Sequence, residues 1–396
     1  MTLSALVSAT TAGAAVATCR GQAATIVADR DMDTVVGTAG PDVIVTLGFE
    51  VVSVQAGDGD DLICSWSGYG GVIQGGEGDD TILVVQGGAT QQSPHGTRLM
   101  GGPGKDRYSG DRLTTLSYEL AEAGVSIDAS GSVVDGEDTE TFLGPLAMRG
   151  SAFADKYDGT PDNDVYDTGM RLDASQTLDV VRSGGGDDEV TAGPGATVHL
   201  GAGDDTARGM GAVVYGGVGD DRIALAYGGT AFGGSGRDRL SGIAYVDTTL
   251  PSLPRSRLSG GPGDDVLMPV YSTDDVGFSY CSQGNWAWCS RGTLVGGSGV
   301  DTLHVPRRGG TVDLAAGRVR VPGGRSEIGF FERVVGSHSR DVMRGDRHRN
   351  RFYGRGGADV LVGRGGADEL VGGGGRDRAH GGAGRDRCET EVRRSC

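Results

Sequence analysis

The sequence predicts an all-β solenoid built from short repeats and broken by irregular insertions. Three observations carry that prediction. A glycine- and aspartate-rich string recurs along the chain, an apolar residue keeps a fixed place after each copy, and the composition leaves little material for helices. Glycine supplies 75 of the 396 residues, and aromatic residues only 6%. Glycine and aspartate both disfavour helix interiors, which argues against a helical or doubly wound core. Disorder is the other common fate of such a composition, but disorder needs no apolar residues at regular intervals. No collagen triplet is present, and outside the N-terminal stretch no apolar run approaches the length of a membrane span.

The repeat is plain when its copies are aligned. Ala56-Gly57-Asp58-Gly59-Asp60-Asp61-Leu62-Ile63, Gly75-Gly76-Glu77-Gly78-Asp79-Asp80-Thr81-Ile82 and Gly216-Gly217-Val218-Gly219-Asp220-Asp221-Arg222-Ile223 are three of them. Further copies run over 233–240, 260–267, 296–303, 355–361, 364–370, 373–379 and 381–388. The consensus is G-G-x-G-x-D-x-U-x, with U apolar. Paired glycines allow the positive φ of a tight turn, and their bare Cα lets backbone carbonyls approach a ligand. The aspartate offers a hard anionic oxygen suited to Ca²⁺. The U residue lies on a short strand and points between two sheets. Nine residues make one turn and one strand, two such units complete a coil, and stacked coils bury a core that no single repeat could bury.

These strings resemble the hemolysin-type (RTX) calcium-binding nonapeptide repeats. The resemblance covers most of residues 37–388, with interruptions. It implies a parallel β-roll, with Ca²⁺ as cofactor, held between same-edge turns by aspartate side chains and backbone carbonyls. Carried onto this sequence, the metal-binding positions are Asp61, Asp80, Asp106, Asp188, Asp205, Asp221, Asp238, Asp265, Asp301, Asp341, Asp359, Asp368, Asp377 and Asp386.

Spacing refines the expectation. From Asp341 the repeat positions are nine apart, through Asn350, Asp359, Asp368, Asp377 and Asp386, so both edges of the roll carry the motif there. Earlier steps are 19 (Asp42, Asp61, Asp80) and 17, 16 and 17 (Asp188, Asp205, Asp221, Asp238). One intact turn per coil places calcium along one edge only. The other edge carries strings such as Gly193-Pro194-Gly195-Ala196-Thr197, which lack the aspartate.

Charge divides the chain unevenly. The formal net charge is −17, yet residues 291–396 hold 20 Arg against 13 Asp and Glu. That makes +7 for this stretch and −24 for the rest. The acidic balance argues against a nucleic-acid partner. Arg376 and Arg378 flank Asp377, and Arg385 and Arg387 flank Asp386. These cations are expected to weaken calcium binding or to replace it with Asp–Arg pairs. The Asp-Asp copies at 60–61, 79–80, 204–205, 220–221 and 264–265 are expected to bind more tightly.

The remaining features set the organisation. Residues 1–17 read as a secretory leader ending in the A-x-A site Ala15-Val16-Ala17. An N-terminal calcium roll follows over 18–110, a degenerate coil segment over 111–149 and a central roll over 150–242. Excursions with one further repeat span 243–295, and a C-terminal roll with a disulfide cap spans 296–396. The segment from Thr311 to Ser337 resembles the one at 113–148. Six cysteines allow fifteen pairings, of which proximity favours Cys281 with Cys289 and Cys388 with Cys396, leaving Cys19 for Cys64.

No catalytic constellation is found. The chain lacks H-E-x-x-H and G-x-S-x-G, and most of its histidines, His95, His199, His304, His338, His348 and His380, read as solvated turn residues without metal-ligand spacing. Asp29-Arg30-Asp31-Met32-Asp33 imitates the start of an EF-hand but lacks the glycine and the glutamate that complete one. The expected function is a secreted, non-enzymatic calcium-binding protein in which Ca²⁺ drives or stabilises folding, with a structural or surface role. Calcium ions are its expected partners, with cell-surface polysaccharide or protein as candidates, and no membrane span is expected. The alternative is an adhesion or carbohydrate-binding module using a face of the roll or the loop that carries Trp286 and Trp288. A polysaccharide-acting enzyme is the third reading.

Overall fold

The computed structural model describes residues 17–28, 34–47, 53–66, 71–84, 96–111, 113–144, 147–169, 178–226, 228–243, 256–268, 292–305, 308–321 and 324–396. These residues form strands and turns, with no helix among them. The chain divides into two compact units, Met1–Val181 and Arg182–Cys396. Each is a stack of parallel strands in two facing sheets, a parallel β-roll.

In the first unit one sheet stacks Thr34–Val36, Ser53–Asp58, Val72–Glu77, Thr97–Met100, Thr114–Ser117, Ala147–Arg149 and Val165–Asp167. Their register sets Val35, Val54, Ile73, Leu99, Leu116, Met148 and Tyr166 in one buried row. The facing sheet sets Ile44, Ile63, Ile82, Tyr108 and Phe142 in another. A side chain of period two can reach the core only at alternate positions, so each strand spends one apolar residue on its row. This is the U position of the repeat.

The second unit repeats the plan. Val190, Ala207, Ile223, Leu240, Leu267, Leu303, Val334, Phe352, Leu370 and Cys388 form one row. Val198, Val214, Ala231, Leu258, Leu294 and Ile328 form the opposite row. The repeat at 260–267 sits in the stack through Ser256–Pro262 and Val266–Met268.

The segments read as degenerate coils have a different construction. In the first unit Val125–Asp128, Ser132–Asp135 and Asp138–Leu143 form an antiparallel meander. Its ends pair in parallel with Arg107–Ser109 and Lys156–Asp158, so the sheet continues through it. Thr311–Asp313, Arg318–Val321 and Gly324–Gly329 do the same in the second unit. The likeness seen in sequence is therefore a shared meander. Each is made by tight turns without the G-G-x-G-x-D string, which lets the chain double back where the repeat would carry it forward.

Cys19 is bonded to Cys64, and Cys388 to Cys396. The first packs with Val45 and Leu62 at the start of its unit. Cys281, Cys289, Trp286, Trp288, His95, Asp29-Arg30-Asp31-Met32-Asp33 and residues 1–16 of the expected leader lie outside the described residues. No described helix is long and apolar enough to cross a membrane.

Candidate metal centre

The turn at 216–221 shows how the motif is used. Gly217 and Gly219 have φ of 121° and 133°, and a Cβ on either would collide with a carbonyl of the preceding coil. Only glycine serves where the backbone is both left-handed and this close to its neighbour. The two aspartates that follow point to opposite sides. Asp220 is on the outside, where its Oδ1 accepts the Arg237 N–H at 2.8 Å. Asp221 is buried, and its Oδ1 accepts the Asp205 N–H at 3.0 Å. Its own N–H donates to Asp238 Oδ1 at 2.9 Å.

That inner contact is a ladder. In the first unit Asp42, Asp61 and Asp80 donate in turn to Asp61, Asp80 and Asp106 at 2.7–2.9 Å. In the second, Asp188, Asp205, Asp221, Asp238 and Asp265 donate to Asp205, Asp221, Asp238, Asp265 and Asp301 at 2.8–3.0 Å. Beyond residue 341 two ladders run side by side. Asp341 and Asp359 donate to Asp359 and Asp377, and Asn350 and Asp368 donate to Asp368 and Asp386. The nine-residue spacing thus alternates between two edges of an 18-residue coil. Glu332 accepts from Asp301 and Glu391 from Asp377, closing two ladder ends with residues outside the motif.

The second carboxylate oxygen decides the chemistry. The Oδ2 atoms of Asp61, Asp80, Asp205, Asp221, Asp238, Asp265, Asp301, Asp359, Asp368, Asp377 and Asp386 are buried without a hydrogen-bond partner. Each first glycine of the string opens the space in front of one of them. A Cβ on Gly216 would fall within 3 Å of both Asp221 Oδ2 and Gly233 O. The same holds at Gly75 for Asp80 Oδ2 and Gly101 O, and at Gly363 for Asp368 Oδ2 and Gly381 O. Each cradle therefore joins an anionic oxygen to a carbonyl of the next coil.

Electrostatics agrees with the geometry. Burial, reinforced by neighbouring carboxylates, pushes Asp80, Asp221 and Asp301 up to about 7. The same causes raise Asp238, Asp359 and Asp368 to about 6. Among the described residues no three His, Cys, Asp or Glu side chains converge on one point, so carbonyls must complete any metal shell. A set of carboxylate and carbonyl oxygens fits a hard cation that takes six to eight oxygens, as Ca²⁺ does.

A family model for the RTX calcium-binding nonapeptide repeat (4 copies) matches residues 68–83, 172–198 and 353–388. The chain carries RTX repeats. RTX nonapeptide repeats bind Ca²⁺, which makes Ca²⁺ the cofactor of these turns. No curated protein matches the chain. The unmatched RTX-like turns, such as those ending in Asp221 and Asp265, share the open oxygen of the matched turns ending in Asp80 and Asp368.

Two of the sequence-predicted RTX positions stand differently. Asp106 Oδ2 shares the Tyr108 hydroxyl, at 3.1 Å, with Glu140, and Asp341 Oδ2 accepts both the N–H and the hydroxyl of Ser337. Asp341 belongs to a second kind of turn, G-[S/T]-x-x-x-D. In Gly150-Ser151-Ala152-Phe153-Ala154-Asp155, Ser151 N–H donates to Asp155 Oδ2 and Ser151 Oγ to Oδ1, both at 2.7 Å. Thr38 closes on Asp42 in the same way. Sequence reasoning counted Asp42 and Asp341 with the repeats because the final aspartate is shared. The signal that separates them is the hydroxyl at the second position.

The arginines of the C-terminal stretch do not form the expected pairs with Asp377 and Asp386. Both Oδ2 atoms are without partner, and Arg387 instead meets Glu369 and Glu389. In an extended chain the neighbours of an inward side chain point outward, so flanking arginines face solvent. Arg355 and Arg364 occupy the second turn position at φ of 73° and 74°, where glycine otherwise sits. Arg364 is held there by Asp313 at 2.8 and 3.0 Å and by Gly345 O at 2.8 Å.

Two histidines also depart from the solvated-turn reading. His199 stacks on Tyr215, which stacks on Phe232, in a row across three strands. Burial, with Arg355 and Arg239 nearby, lowers His304 to about 4.

Proposed function

We propose that the protein is a secreted calcium-binding β-roll in which Ca²⁺ stabilises folding and the folded roll serves a structural or surface role. The observation that carries this reading is the row of buried aspartate Oδ2 atoms without a partner, all but those of Asp61 and Asp205 facing a cradle opened by a first-position glycine. The proposed ligands are the eleven aspartates with such an oxygen, together with Asp188, which shares their register and burial. Asp106 and Asp341 join them as candidate ligands at ladder ends. A bound Ca²⁺ supplies the positive charge that these desolvated carboxylates need, and it links one coil to the next.

Secretion is supported by the two disulfides, which persist in oxidising compartments, and by the usual export of proteins with RTX repeats. A calcium-poor interior would leave the open turns repelling one another, and export would then favour folding by mass action. Each site filled at a hundredfold excess over its Kd adds about 2.7 kcal/mol.

The test is thermal unfolding followed by circular dichroism in millimolar Ca²⁺ and in EGTA. The expected result is a large drop in Tm in EGTA, or loss of the β signal altogether. Identical spectra and Tm in both buffers would overturn the reading.

A further inference from the structure

The meander of the first unit walls off a cavity of about 500 Å³ beside the turn at 101–104. That volume lies in the range of small-molecule sites, ~300–1,000 Å³. Its lining holds five carboxylates, Glu122, Asp135, Glu137, Asp138 and Glu140, and no Lys, Arg or His.

Two buried side chains show that it is more than an acidic surface. Glu140 is 1% exposed. The hydroxyls of Tyr118 and Tyr108 both donate to its Oε2, at 2.5 and 2.9 Å. Among the described residues no hydrogen bond or ion pair reaches its Oε1. Ser117 lies on the face of its strand opposite the core residue Leu116 and lines the same cavity. Its Oγ is buried with no hydrogen-bond partner. Burial pushes Glu140 up to about 8, so a cation that met it would draw out its charge, while the same ligand could satisfy the bare Ser117 hydroxyl.

The ligand's class follows from the rest of the lining. Its charge must be positive. Met100, Pro103, Leu120 and Ala121 give the cavity an apolar side that a hydrated ion would waste. We propose that the cavity binds an organic cation, a primary ammonium or guanidinium on an apolar stem. The charged head sits against Glu140 and Ser117, and the stem lies along Met100 and Leu120. The two tyrosines act as positioning residues that hold Glu140 in its rotamer. Such a head group arrives either as a free amine or as a Lys or Arg side chain of another chain.

The test is isothermal titration of the full chain in saturating Ca²⁺ with n-hexylamine, 1-hexanol and an acetyl-Gly-Lys-Gly-amide peptide. The expected result is one hexylammonium bound per chain and no heat from hexanol. Glu140→Gln should weaken binding at least tenfold. Leu120→Arg, at an exposed position, should abolish it by laying a tethered guanidinium over the mouth. Binding of the peptide as well points to a side chain of a partner, and binding of hexylamine alone to a free amine. The proposal is overturned if neither amine binds, if hexanol binds as well as hexylamine, or if Leu120→Arg leaves the affinity unchanged. Should Glu140→Gln fail to fold, Leu120→Arg and Ser117→Ala decide the matter.

Discussion

The turns at 75–80 and 150–155 lie in the same unit, start with glycine and end in a buried aspartate. They nonetheless solve the burial of that aspartate in opposite ways. At 75–80 the second residue is Gly76, whose N–H donates to Gly101 O on the next coil. No donor reaches Asp80 Oδ2, which stays buried without a hydrogen-bond partner. At 150–155 the second residue is Ser151, whose N–H and hydroxyl both turn inward to Asp155. Val125 N–H completes the set at 2.9 Å. The same fold thus contains turns that leave a carboxylate oxygen open and turns that close themselves. The second residue carries the difference in donors: the Gly76 N–H reaches the neighbouring coil, while Ser151 turns its N–H and hydroxyl inward.

The largest expected effect comes from removing each aspartate. Asp80→Ala should cost about 3 kcal/mol in saturating Ca²⁺ and under ~1 kcal/mol in EGTA, where it also removes a desolvated charge. Asp155→Ala should cost about 2–3 kcal/mol in either buffer, since three donors lose their acceptor. Urea unfolding of both variants in both buffers measures this, and equal calcium dependence would end the distinction.

A smaller effect is expected from pH. Asp80, Asp221 and Asp301 are raised from 3.8 to about 7 by burial. The folded, metal-free chain therefore holds protons that the unfolded chain has already lost between pH ~4 and ~7. In EGTA, stability should be fullest at the acid end and fall as pH rises through 7. Ca²⁺ should reverse the slope, because binding expels those protons. Chemical unfolding at pH 5 and 7.5, with and without Ca²⁺, reads both signs. A calcium-free stability that rises with pH would contradict the assignment.

The smallest effect belongs to the outer face of the second unit. Tyr215 lies between His199 and Phe232 with ring centroids 4.7 and 5.0 Å away. Tyr215→Ser should cost about 0.5–1.5 kcal/mol, the same in Ca²⁺ and in EGTA. A calcium-dependent loss would tie this face to the open turns across the coil.

Most of the architecture was legible because the repeat is local. The rows Val54–Ile73–Leu99 and Ile223–Leu240–Leu267 follow from the U position, and the two C-terminal ladders follow from a nine-residue step. The meanders were not legible. Their strands carry the same alternation as roll strands, and alternation does not say in which direction a neighbour runs. The closed turns were half legible. Ser151 and Ser337 were in plain view, but the shared final aspartate hid what the hydroxyl does.

The sequence by itself determined the solenoid, its period and the edges on which aspartates gather. Each of these depends on residue type at a fixed spacing. Only the tertiary structure decided which aspartate oxygens are left bare, why flanking arginines fail to reach Asp377 and Asp386, and that Glu140 and Ser117 share a cavity. Those outcomes depend on which backbone donor or side chain from another coil reaches a given oxygen. Spacing along the chain does not contain that contact.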